Sequence, residues 1–230
     1  MNKLTELANK YAADKGTEVP NDGKFHGPRL GFTEVYYEYF KKIKDEPISI
    51  LEIGVGAGNS LKMWYDFFPN AKIYAIDIVN SSKYDNDKVK TFIIDQSNRD
   101  SLLKFMEQID KLDIIIDDGS HVCEHQQISL GVLFKCLKSG GQYWIEDLHT
   151  SDTSVWVPGK KLYGYEMGNN TGNKNTVNII ESFINNKVFD SGFLTKEENK
   201  FLTQEIEECK MFQLDKTFYG ENKLAYFKRK

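Results

Sequence analysis

An excess of basic residues is missing from this chain. Its 30 lysines and arginines face 34 aspartates and glutamates, for a formal net charge of −4. That balance removes the electrostatic case for nucleic acid or an anionic membrane surface, both of which recruit clustered cations. Cysteine is scarce: Cys123, Cys136 and Cys209 are odd in number, lack metal-type spacing, and read as reduced thiols in a cytosol. No run approaches the ~18 apolar residues of a membrane span. The opening "MNKLTELANKYAADKG" also lacks the apolar stretch of a signal peptide. Repeats and low-complexity blocks are absent. The expectation is a soluble, cytoplasmic protein, and 230 residues suffice for one well-cored α/β domain.

What is present is alternation. From about Ile48, short apolar runs alternate with helical patterns: strands over 48–54, 71–78, 89–96, 112–117 and 141–147, helices over 58–68, 98–109 and 124–137. The last of these helices ends at Lys138-Ser139-Gly140-Gly141. Near-continuous apolar strands separated by helices imply a parallel sheet covered on both faces, most economically doubly wound. Residues 148–175 are polar and read as a long active-site loop or lid, followed by helices over 175–189 and 195–208. "CKMFQLDK" and "NKLAYFKRK", joined through "TFYGE", read as an antiparallel hairpin. The order is similar to the class I methyltransferase layout, a Rossmann-like, mostly parallel seven-stranded sheet with a C-terminal antiparallel hairpin. Residues 1–46 read as an N-terminal helical cap segment around a Gly- and Pro-containing loop (16–31), and 47–230 as the main domain. The aromatic helix at 32–44 is a candidate dimer face in a homo-oligomer.

"LEIGVGAGNS" (51–60) puts Gly54, Gly56 and Gly58 between a strand and a helix, where glycine permits a sharp turn and close approach of a ligand. The dinucleotide fingerprint would need a third glycine at position 59, which is Asn59, and the leading acid Glu52 would repel a pyrophosphate. Asp77 ends the second strand, placed to accept hydrogen bonds from ribose hydroxyls or to cap the next helix. Asp95-Gln96 ends the third, which suits an adenine edge. Acids around the glycines favour S-adenosylmethionine, cationic at sulfur, over NAD.

"LDIIIDDGSHVCEHQ" (112–126) runs a buried-looking strand into Asp117, Asp118, His121 and His125, and "YWIEDLHT" runs the fifth into Glu146, Asp147 and His149. Neighbouring strands lie about 5 Å apart, so Asp118, Glu146 and Asp147 are expected to converge beside His121. Carboxylates that close call for a cation, and an all-oxygen set suits Mg²⁺, Ca²⁺ or Mn²⁺. Such an ion would hold a substrate's vicinal oxygens while His121 accepts the proton as general base. His125, one turn on, reads as solvent-facing or packed. His149 is a candidate to touch substrate, and Asp117 either meets the cofactor or caps the turn.

These stretches, with "LANKYAADKGTE" and "HGPRLGFTEVYYEYF", resemble the macrocin and mycinamicin O-methyltransferase family over roughly residues 7–155. The pairing of "DDGSH" with "IEDLHT" is the specific part. The resemblance implies a metal- and S-adenosylmethionine-dependent methylation of sugar hydroxyls, with Asp118, Glu146 and Asp147 as Mg²⁺ ligands and His121 as base. It implies Glu52, Gly54, Asp77, Asp95, Gln96 and Asp117 at the cofactor, with Tyr11, Asp14 and Lys15 matching an N-terminal Y-x-x-D-K element near the site. The chain departs from the polyketide-acting members in its short loop after the first strand and in "SDTSVWVPG" after "ED". In that it is more similar to compact bacterial forms acting on sugars of capsules, lipopolysaccharides or glycans, free or nucleotide-linked. The competing readings are a methyltransferase for catechol-like diols, a nicotinamide oxidoreductase, and a binding domain without turnover.

Overall fold

Seven strands form one sheet in the computed structural model, which describes residues 1–18, 30–151, 161–162, 165–166, 175–217 and 220–230. Five are β1 (Ser49–Ile53), β2 (Lys72–Asp77), β3 (Val89–Ile93), β4 (Leu112–Asp117) and β5 (Leu137–Ile145). The C-terminal pair are β6 (Ile206–Thr217) and β7 (Gly220–Arg229). The order is β3-β2-β1-β4-β5-β7-β6, parallel through β5 and antiparallel in the last two pairings. The expected parallel sheet with a C-terminal hairpin is therefore borne out. Most of the expected lid, at 152–160, 163–164 and 167–174, lies outside the described residues, as do 19–29 of the N-terminal loop and 218–219 of the hairpin turn.

The two faces of the sheet carry separate cores because side chains alternate along each strand. Leu51, Ile53, Ile115, Tyr143 and Ile145 pack under α4 (Arg99–Met106), α5 (Cys123–Leu133), α6 (Thr176–Asn186) and α7 (Lys196–Glu205). Ile50, Ile114, Ile116 and Trp144 face the other way, under α1 (Lys3–Lys10), α2 (Phe32–Phe40) and α3 (Asn59–Phe67). On this second face Tyr36 stacks on Phe40 and meets Trp144 edge-on at 4.9 Å, while Phe40 meets Trp64 at 6.1 Å. Phe32, Tyr36 and Phe40 are fully buried, so this edge of the helix packs on the chain's own core.

Several element ends differ from expectation by three or four residues, and those flanking the C-terminal half of the sheet change its pairing. The helix expected to 137 ends at Leu133, and after one 3-10 turn β5 begins at Leu137, four residues before the expected 141. Lys138-Ser139-Gly140-Gly141 thus forms a bulge inside the strand, where the β4–β5 register shifts between Leu112 and Ile114 and Gly140 takes φ +77°. The helix expected over 195–208 stops at Glu205, and Ile206 starts β6 with no loop. Elsewhere side-chain caps mark the starts as the composition suggests: Asn98 for α4, Asn175 for α6, and Thr195 with Glu198 in a capping box for α7. Among the described residues no helix is long and apolar enough to cross a membrane.

Candidate active site

A cavity of 760 Å³ runs along the carboxyl ends of β1 to β4, where ligands sit in open α/β sheets. The glycine turn and Asp77 line one stretch of it, Asp95 and Gln96 another, and Asp14, Asp118, His121 and Asp147 close the far side. Gly54, Gly56 and Gly58 all take positive φ, as the sharp exit from β1 requires. Asp77 holds this turn: its Oδ2 accepts from the backbone N–H of Val55 (2.8 Å) and Gly56 (3.3 Å), and its Oδ1 from that of Val79 (2.9 Å). Asp77 therefore orders two loops at the cavity wall.

Alternation decides which strand-end acids reach the cavity. Asp117 shares the face of Ile115, so it points under α5, is buried, and accepts hydrogen bonds from Ser129 Oγ (2.7 Å), Gln96 Nε2 (3.1 Å) and Tyr143 Oη (3.3 Å). Burial raises its carboxyl above the ordinary value. Asp117 thus braces Gln96 from behind the cavity wall and does not line the cavity. Glu52 lies on the face of Ile50, under the glycine turn, and accepts from Ser60 Oγ (2.9 Å) and Trp64 Nε1 (3.2 Å). It too is absent from the cavity wall. Of the N-terminal element, Asp14 reaches the cavity, whereas Tyr11 donates to Asp66 on the far side of α3.

Lys15 is fully buried among acids. Its ammonium donates to Asp118 Oδ2 and to Glu146 Oε2 (2.8 Å), with Glu52 Oε1 at 3.9 Å. Glu146 follows Trp144 by two residues, so it shares that face and accepts from Tyr36 Oη on its other oxygen at 2.7 Å. Burial disfavours the Lys15 charge, but Asp118 and Glu146 hold its pKa well above the usual lysine value. Burial also pushes Asp118 up to about 6 and Glu146 well above the carboxylate range, against the pull of Lys15.

Asp118 and Glu146 converge on the Lys15 ammonium, while Asp147 lies beside His121. Asp118, His121 and Asp147 are the residues whose ligand atoms all lie within 4.8 Å of one another, and Glu146 is engaged by Lys15 and Tyr36 instead. The reason is again the two-residue period, which sends Glu146 to one face, while Asp147 leaves the strand with φ +54° and turns toward His121. His121, at φ +59°, places Nε2 3.6 Å from Asp147 Oδ2, and its Nδ1 has no hydrogen-bond partner among the described residues. The carboxylates of Asp118 and Asp147, with the buried one of Glu146 behind Lys15, offer the oxygens a hard divalent cation takes, and the imidazole of His121 stands beside them.

Among the described residues, His125 and His149 sit outside the cavity wall. His125 is packed on Ser120 Oγ (2.9 Å), and burial lowers its pKa. His149 is buried toward β7, its Nδ1 3.0 Å from Asn222 Oδ1 and 3.7 Å from Asp147 Oδ1. Two contributors carry little or no signal in the sequence. Tyr36 carried only the weak signal of the 32-36-40 spacing, and Asn222, which donates to Asp147 Oδ1 (3.2 Å), carried none, because it arrives from 75 residues away.

The acids around Lys15 make a pH prediction. Burial pushes Glu52 from 4.5 up to about 7. Between those values the folded chain binds more protons than the unfolded one, so stability falls as pH rises through the window, and Asp118 acts in the same sense. The ligand-free protein is expected to melt higher at about pH 5 than at about pH 8, with Glu52→Gln reducing the slope. Scanning calorimetry across pH checks this, and a Tm that rises with pH would contradict it.

No protein-family model matches the chain. It is 32% identical over 188 residues to 8-demethyl-8-(2-methoxy-alpha-L-rhamnosyl)-tetracenomycin-C 3'-O-methyltransferase of Streptomyces olivaceus, covering 79% of this chain and 44% of that protein. It is 35% identical over 155 residues to mycinamicin VI 2''-O-methyltransferase of Micromonospora griseorubida, covering 64% of this chain and 36% of that one. The crystal structure of MycE methyltransferase from the mycinamycin biosynthetic pathway, in complex with Mg and SAH, matches with a TM-score of 0.73 at 25% identity, over 99% of this chain and 55% of that one. The chain thus spans under half the length of these two curated relatives. These matches bear out the resemblance drawn from the motifs, and the fold with it.

Proposed function

We propose that this chain, which resembles the macrocin and mycinamicin O-methyltransferases in sequence and fold, transfers the methyl group of S-adenosylmethionine to a sugar hydroxyl. The sugar would belong to a capsule, lipopolysaccharide, glycan or natural product, with no nucleic-acid substrate. The single observation that carries the reading is the cavity. It runs unbroken from the glycine turn to Asp118, His121 and Asp147, and its 760 Å³ falls in the range of small-molecule sites (~300–1,000 Å³).

When bound, S-adenosylmethionine supplies an electrophilic methyl group, and a divalent ion supplies charge neutralisation beside the attacking hydroxyl. The chain supplies the rest. Val55 and Gly56, fixed by Asp77, shape the cofactor end, and Gln96, braced by Asp117, sets the wall next to it. Asp118 and Asp147 would hold the ion. His121 accepts the hydroxyl proton at Nε2, beside Asp147, as the oxygen–methyl bond forms and the carbon–sulfur bond breaks. Much of the acceleration comes from holding both reactants in line.

The test is thermal stability with S-adenosylmethionine, S-adenosylhomocysteine and NAD, each with and without Mg²⁺. A ligand at ~100 times its Kd stabilises by about 2.7 kcal/mol, worth roughly 5–10 °C for a chain of this size. The adenosyl ligands are expected to give such a shift and NAD none, since Asn59 replaces the glycine a dinucleotide turn needs. A shift with NAD alone would overturn the proposal.

A further inference from the structure

The Lys15 ammonium and the candidate metal group share one carboxylate. Asp118 Oδ2 is bonded to Lys15, and Asp118 also belongs with His121 and Asp147 to the group within 4.8 Å. A dication and an ammonium on the same carboxylate repel each other, and burial weakens the screening between them. Lys15 also closes off Glu146, the remaining strand-end acid, whose Oε2 is 2.8 Å from Nζ. A third carboxylate, Glu52, waits on the far side at 3.9 Å, outside the cavity wall. A buried ammonium that left Asp118 and Glu146 would therefore still meet a counter-charge, as a buried cation requires.

We propose that Lys15 is an exchangeable counter-cation of this site: in the metal-free protein it neutralises Asp118 and Glu146, and a divalent ion binds by displacing its ammonium from that pair toward Glu52. The inference rests on the metal-site reading above and goes beyond it. Glu146, paired with Lys15, joins the ion's oxygens only in exchange for that ammonium. The acids are never left uncompensated, and the intrinsic affinity for the ion is lowered by the pairs that must break. Because Glu52 is bonded to Ser60 and Trp64 of α3, the displaced charge would arrive beneath the glycine turn.

The experiment is Mg²⁺ titration of the whole chain, labelled with ¹⁵N at the lysine side chains, followed by NMR and by calorimetry on the same sample. A buried, ion-paired ammonium exchanges slowly enough to be seen, and Lys15→Arg assigns the resonance by its loss. The Lys15 resonance is expected to shift in step with Mg²⁺ saturation. Lys15→Met, which keeps the stem and removes the charge, is expected to bind Mg²⁺ at least ~10-fold more tightly. A Lys15 resonance that stays put while calorimetry records binding would overturn the exchange and leave the metal reading standing. Equal or weaker Mg²⁺ binding by a folded Lys15→Met variant would do the same. If that variant does not fold, the unsubstituted protein's titration decides. Absence of any Mg²⁺ binding removes both readings.

Discussion

His121→Ala is expected to lower methyl-transfer turnover by ~10²- to 10⁴-fold, the usual contribution of a positioned general base, while leaving S-adenosylhomocysteine affinity unchanged. The expectation rests on where the imidazole sits. Its Nε2 is 3.6 Å from Asp147 Oδ2, its backbone takes φ +59°, and Asp147 takes φ +54°. Non-glycine residues held at positive φ cost of order 1–3 kcal/mol each and persist where the surroundings enforce them. Here Thr150 Oγ1 donates to the His121 carbonyl at 3.0 Å, and Asn222 Nδ2 donates to Asp147 Oδ1 at 3.2 Å. Two neighbouring strained residues, each fixed by a separate hydrogen bond and facing one cavity, are the arrangement expected where orientation of a reacting group matters. The readout separates two roles for the ring. Lost turnover with unchanged Mg²⁺ affinity assigns proton transfer. Lost Mg²⁺ affinity, with turnover restored at high Mg²⁺, would move His121 into the ligand set with Asp118 and Asp147. Full turnover would exclude it from both.

Gly54→Ala is expected to be the most damaging single methyl among the described glycines. Gly54 has φ +90°, and a Cβ there would lie 2.1 Å from the carbonyl oxygen of Asp118 and 2.8 Å from its carbonyl carbon. Those atoms are backbone and cannot step aside. Asp118 N–H donates to the Ile53 carbonyl (2.9 Å), and Gly54 N–H to the Ile76 carbonyl (2.8 Å), so the ends of β1, β2 and β4 are laced together at this point. The positive φ alone costs an L-residue ~1–2 kcal/mol, and the clash forces the β4 end to move as well. A loss of at least ~3 kcal/mol corresponds to a Tm lower by roughly 6–12 °C. The displaced atoms belong to Asp118 and the glycine turn, so S-adenosylhomocysteine binding should be lost too. Gly140→Ala is the control: φ is +77° but nothing lies within 4 Å of the added Cβ, so only the backbone term remains. Melting temperatures that match in the two variants would contradict the clash argument.

The architecture was largely legible in the sequence because it depends on short-range pattern. Near-continuous apolar strands such as "LDIIID" spaced by helical stretches can be covered only by helices on both faces, and β4 falls at 112–117 as read. The glycine turn announces itself, since three glycines between strand and helix have few other uses. The bulge at 138–141 is not legible in the sequence, because Lys-Ser-Gly-Gly after a helical pattern is also a good helix stop and the outcome depends on pairing with β4, a non-local contact.

The site was half legible. The motifs "DDGSH" and "IEDLHT" by themselves determined that acids and a histidine gather at the carboxyl edge of adjacent strands, because strand order and direction bring those ends together. Which acid faces which neighbour was decided only by the tertiary structure. The two-residue period sorts Asp117 from Asp118 and Glu146 from Asp147 onto opposite sides. What fills each side comes from far along the chain: Lys15 and Tyr36 from the N-terminal segment, Ser129 from α5, Asn222 from the hairpin. A carboxylate's character follows from its partners and its burial rather than from its spacing. Glu146 anchors a buried lysine, and Asp117 braces Gln96, for that reason.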